Sequence, residues 1–111
     1  MDERAATTID AETLSIIERV VKYRQPKRVI LFGSRARGTA RSDSDVDLCI
    51  VYERLEKRNV EIMEDLYLDL FGHMAHPVDI VVHDETVFAD RVKLPHSFES
   101  VIDIEGLTVY G

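Results

Sequence analysis

Apolar residues recur along this chain in two rhythms, and the change from one to the other marks out its elements. Leu14, Ile17, Val20 and Val21 repeat at helical spacing behind Asp10, a residue type that caps helix N-termini. Glu12 sits near the positive end of the helix dipole and Pro26 stops the pattern, so a helix is predicted from Asp10 to about Tyr23. A second helix is predicted from about Lys57 to His73, with Met63, Leu66, Tyr67, Leu70, Phe71 and Met74 on its core face and Gly72 and Pro77 closing it. Between and after these helices lie short apolar runs of strand type: Arg28 to Phe32, Val46 to Tyr52, Pro77 to Val82 and Leu107 to Tyr110. Glu85 to Val92 is a weaker helical segment, and Pro95 opens another through about Ile102. The order helix, strand, strand, helix, strand, helices, strand predicts an α/β (α+β) fold, a small mixed sheet with helices packed mainly on one side.

Two polar segments interrupt the apolar pattern. Gly33-Ser34-Arg35-Ala36-Arg37-Gly38 follows the first strand, and Ser44-Asp45-Val46-Asp47-Leu48 leads into the second. Side chains two apart on a strand share a face, so Asp45 and Asp47 are expected on the same side of the sheet, where they repel unless a cation sits between them. Mg²⁺ suits that arrangement, since it is held by one or two carboxylates and completes its shell with water and phosphate oxygens. A nucleoside triphosphate is the implied substrate. Gly33 lets the backbone approach a phosphate, Ser34 supplies a hydroxyl and an N–H, and Arg35 to Gly38 can start a helical turn whose N–H groups face an anion. Either segment alone is commonly just a turn or a solvated strand edge. It is their order on successive strands that carries the inference.

Gly33-Ser34, ten residues, then Asp45-Val46-Asp47 resembles the signature of the DNA polymerase beta-type nucleotidyltransferase superfamily. The phrasing of the loop and the length resemble its minimal nucleotidyltransferase branch, whose members are often antitoxins paired with HEPN-domain ribonuclease toxins. The resemblance implies a nucleotidyltransferase fold with Asp45, Asp47 and Asp79 as catalytic, metal-holding residues of a two-metal Mg²⁺ site. It makes Gly33, Ser34, Arg37 and Ser44 nucleotide-binding. It also implies transfer of AMP from ATP to a protein hydroxyl, a tyrosine of a cognate HEPN toxin, within a hetero-oligomer. Two other readings remain at this point: an antitoxin that neutralises its partner by binding alone, and a small-molecule nucleotidyltransferase that needs a separate acceptor-binding subunit.

Length and composition narrow the picture further. At 111 residues the whole chain, 1–111, is expected to form one domain, with little room for an acceptor-binding domain of its own. The net charge of −7 is uneven: Arg19, Lys22, Arg24, Lys27, Arg28, Arg35, Arg37 and Arg41 form a run with no acid among them, and the rest is strongly acidic. A local basic segment in an acidic chain matches a triphosphate better than a duplex, so no direct nucleic-acid binding is expected. No apolar stretch approaches the roughly 20 residues that span a bilayer, and the first eight residues lack an apolar signal core, so no membrane contact and a cytoplasmic location are expected. The single Cys49 reads as a small core hydrophobe. The four histidines lack ligand spacing for structural zinc, and His83 is expected at the surface, although it shares a strand face with Asp79.

Overall fold

The computed structural model describes residues 9–40 and 44–111. The N-terminal segment read above for a signal, and Arg41 of the basic run, lie outside the described residues. In chain order the elements are α1 (Ala11–Tyr23), β1 (Arg28–Phe32), α2 (Ser34–Arg37), β2 (Val46–Tyr52), α3 (Asn59–Leu70), β3 (Val78–Asp84), α4 (Glu85–Val92), α5 (Phe98–Glu105) and β4 (Leu107–Tyr110). The strands form one sheet in the order β3-β2-β1-β4, with β2 and β3 parallel and the other pairs antiparallel. This is the mixed α/β sheet that the apolar pattern predicts. Among the described residues no helix is long and apolar enough to cross a membrane.

Strand alternation divides the apolar residues between the two faces of the sheet. Val29, Leu31, Val46, Leu48, Ile50, Tyr52, Ile80 and Val82 pack with the longer helices α1 and α3 into the larger core. Ile30, Cys49 and Val51 point the other way and meet Phe88 of α4 and Ile102 of α5. The longer helices thus take one face, and the two short C-terminal helices cover part of the other.

Helix α1 begins as expected: the Asp10 carboxylate accepts the Thr13 N–H at 2.8 Å. Its buried face is rotated from the predicted one, though. Thr13, Ile16, Ile17 and Val20 face the core, and Leu14 is 49% exposed. Two overlapping stripes fit the helical period, and packing against the sheet selects the one that contains Ile16. Helix α3 is shorter than predicted because Gly72, at φ 84°, turns the chain soon after Leu70. Its core positions are Ile62, Leu66 and Leu70, and Phe71 is 79% exposed rather than core. Tyr67 packs beside them, and its hydroxyl accepts the Ile80 N–H of β3 at 2.9 Å.

Helix α5 starts three residues after Pro95. Residues 95–97 form a turn in which His96 adopts φ 63°, and Ser97 is the cap, its Oγ accepting the Ser100 N–H at 3.0 Å. The register of the strands matters most for the site. Phe32 lies opposite Asp47, and Asp47 lies beside Asp79.

Candidate active site

Register places Phe32, Asp47 and Asp79 on one rung of three neighbouring strands, with their side chains on the same face. Asp79, on the third predicted strand, is therefore the direct neighbour of Asp47. Asp45 stands one residue before β2, on the segment leading into it. Burial pushes the Asp47 carboxyl up to about 6, helped by the Asp79 charge, a hydrogen bond shared with Asp79 and the Asp45 charge, while the Arg37 charge pulls the other way. A carboxyl so crowded keeps its proton to a higher pH than an ordinary aspartate, and a bound cation would favour its ionised form. Among the described residues no three carboxylate, imidazole or thiol groups converge into a ready metal cage. The Asp47–Asp79 pair with Asp45 nearby nevertheless fits Mg²⁺, which needs only one or two carboxylates from the protein.

Gly33 caps the loop helix α2 with φ 74° and ψ −156°, a region that is essentially glycine-only. A Cβ at this position would overlap the Asp47 carboxylate. Backbone conformation and space thus both require glycine, and they bring the loop directly against the metal-type pair. Ser34 is the first residue of α2, and its carbonyl accepts the Thr39 N–H at 3.0 Å, folding the loop back on itself. Arg37 ends α2, with its guanidinium 3.7 Å from Glu105 of α5 and its charge felt at Asp47. Ser44 lies just ahead of Asp45 and presents its carbonyl to Arg35.

The residue that sequence reasoning missed is Arg35. Only 6% of its side chain is exposed. Its Nη2 donates to the Ser44 carbonyl at 2.6 Å, its Nε to the Ser44 and Asp45 carbonyls at 3.2 Å, and its Nη1 to Asp10 Oδ2 at 2.9 Å. One buried fork therefore ties the α1 cap to the backbone that presents Asp45. A planar guanidinium can make these bonds at once, and an ammonium cannot. Arg35→Ala is expected to lower stability by about 2–4 kcal/mol in chemical denaturation, because two carbonyls lose their donor. Arg35→Lys should recover only a minor part of that loss.

Folding also rearranges the charge run. Arg19, Arg24, Lys27 and Arg28 lie 3.4 to 3.6 Å from Asp69, Glu56, Glu85 and Asp103 respectively. The basic segment is thus largely matched by acids from later in the chain, and of its members Arg35 and Arg37 belong to the loop. Cys49 is fully buried, and burial first, then Glu99, pushes its thiol up to about 12, which leaves it inert. His83 is not at the surface. It lies beneath α5, with Nε2 3.0 Å from Glu99, two same-face positions beyond Asp79 on β3.

The match to known proteins follows this layout. Residues 14–104, which include every candidate site residue, fit the profile of the nucleotidyltransferase domain family. The chain belongs to that family. Over 44 residues this nucleotidyltransferase is 46% identical to a candidate protein adenylyltransferase of Methanocaldococcus jannaschii, a match covering 37% of the chain and 30% of that relative's length. A crystal structure of a candidate nucleotidyltransferase from Sulfolobus solfataricus superposes with a TM-score of 0.58 at 25% identity, covering 99% of this chain and 88% of that one.

Proposed function

We propose that this nucleotidyltransferase moves AMP from ATP to a hydroxyl of a partner protein, with Mg²⁺ as its metal. The observation that carries the reading is the Asp47–Asp79 pair on one rung, set against Gly33 at the mouth of the loop. The similarity to a candidate protein adenylyltransferase supports a protein as acceptor. Asp45, Asp47 and Asp79 would hold the metal, which when bound neutralises triphosphate charge and favours the ionised acceptor oxygen. Gly33 and Ser34 present backbone and hydroxyl donors to the β- and γ-phosphates, and Arg37 and Ser44 flank them. The acceptor oxygen bonds to the α-phosphorus, the bond to the β-phosphate oxygen breaks, and pyrophosphate leaves. Asp79, the more exposed member of the pair, takes the acceptor proton.

Resemblance to the minimal branch points to a HEPN ribonuclease toxin as partner, with a tyrosine as acceptor and a stable complex of the two chains. Intact-mass spectrometry of that partner after incubation with this chain, ATP and Mg²⁺ tests the reading. A gain of one or more AMP units is expected, and none with Asp47→Asn. Neutralisation by covering alone is the second reading, favoured by the exposed Leu68 of α3 and Phe71 just after its end. An Asp47→Asn chain that still protects cells from the toxin would support it.

A further inference from the structure

We propose that Phe98 is the platform on which the nucleobase of the triphosphate stacks, an inference that rests on the nucleotide site proposed above. Phe98 opens α5 directly after the Ser97 cap and remains 51% exposed. Its ring meets Phe32 edge-to-face, with centroids 5.6 Å apart and planes at 84°. Phe32 in turn lies opposite Asp47 and is followed by Gly33. Directly opposed residues of an antiparallel pair have Cβ atoms roughly 5 Å apart, so Phe98 stands one side chain beyond the rung of the carboxylate pair. A nucleotide with its α-phosphate at Asp47 and Asp79 projects its base one ribose away, which is the reach this arrangement offers.

Phe98 is also held in place before any ligand arrives. In the turn that precedes it, the Ser97 N–H donates to the Leu94 carbonyl at 3.2 Å and the Ser97 hydroxyl to the Arg91 carbonyl at 2.7 Å. His96 accepts an uncommon positive φ of 63° to make that turn. At the other end of α5, Glu105 reaches Arg37 of the phosphate loop, so the helix is tied to the site at both ends. The fully buried Ile102 and the buried Glu99, 3.0 Å from His83, dock α5 on the sheet, and the exposed side of Phe98 adds nothing to that packing. Stacking on a ring recognises the π-face that every base has, in keeping with a sequence that carries no base-reading motif.

Calorimetric titration of the full chain in MgCl₂ with two probes, ATP and inorganic tripolyphosphate, separates the base from the phosphates. Phe98→Ala is expected to weaken ATP about tenfold while leaving tripolyphosphate affinity unchanged, and Phe98→Trp to restore ATP binding. Equal ATP affinity in wild type and Phe98→Ala overturns the platform, as does parallel loss of both probes, which marks structural damage. Unchanged ATP affinity with slower acceptor turnover overturns it in favour of an acceptor contact. A wild-type chain that binds neither probe instead removes the nucleotide site beneath it.

Discussion

Metal-free Asp47→Asn protein is expected to melt at a higher temperature than wild type above pH 6, while losing nucleotide transfer by at least about 100-fold. Both effects have one cause. In the folded chain the Asp47 carboxyl titrates near 6, against 3.8 for an ordinary aspartate. Between those values the folded state holds a proton that the unfolded state has lost, so the stability this group contributes is present below about 3.8 and is lost as pH rises through about 6. Asparagine has the shape of aspartate, carries no charge and can donate its amide to Asp79. The advantage of the variant should therefore be absent at the acid end, grow across that window and level off above it. Allowing for the partial exposure of the group, the plateau is about 1 kcal/mol, or roughly 4 °C in Tm. If the carboxylates hold Mg²⁺ as proposed, adding the ion should reverse the order, because the variant has given one ligand up. Melting curves across pH, with EDTA or MgCl₂, check this. A variant that melts below wild type at every pH without metal would show that the pair is not in repulsion.

The parts of the fold and site that local sequence displays are the ones it made readable. The four strands are runs of β-branched and aromatic residues bounded by Gly, Pro or charge, and each appears within two residues of its expected limits. The loop and the acids stand out because a Gly-Ser turn and an Asp-x-Asp pair follow one another on successive buried strands. Register is what the chain does not display locally. Asp45 and Asp47 were expected to form the pair by their spacing, yet the direct neighbour of Asp47 is Asp79, 32 residues away along the sequence numbering, because β2 and β3 run parallel in that alignment. The same limit applies to Arg35 and Arg37. Both are arginines in one loop, and nothing in their immediate neighbours says that Arg35 is swallowed beneath Asp10 and Ser44 while Arg37 stays half exposed. The choice between Leu14 and Ile16 on α1, and the loss of Phe71 from the core face of α3, likewise depend on what the helix packs against rather than on its own period.

Gly33→Ala is expected to abolish transfer and to cost about 3 kcal/mol of stability, and the two losses can be separated by removing the carboxylate it would strike. The new Cβ meets two penalties. One is conformational: φ 74° with ψ −156° belongs to a region in which side chains are essentially not found, a strain of about 1–3 kcal/mol. The other is steric, since the methyl would occupy the place of the Asp47 Oδ2 atom and push that carboxylate off the rung it shares with Asp79. In the Asp47→Ala background the second penalty vanishes and the first remains, so Gly33→Ala should cost measurably less there than in wild type. Gly72→Ala supplies a reference for strain alone, because Gly72 also has a positive φ, 84°, but a Cβ would meet nothing within 4 Å. Denaturation of the four chains of the Gly33/Asp47 cycle measures the coupling. If Gly33→Ala costs the same with and without the Asp47 carboxylate, that carboxylate does not rest on Gly33. The loop and the acids would then be neighbours in sequence order only, and the triphosphate would have to be placed elsewhere on the sheet.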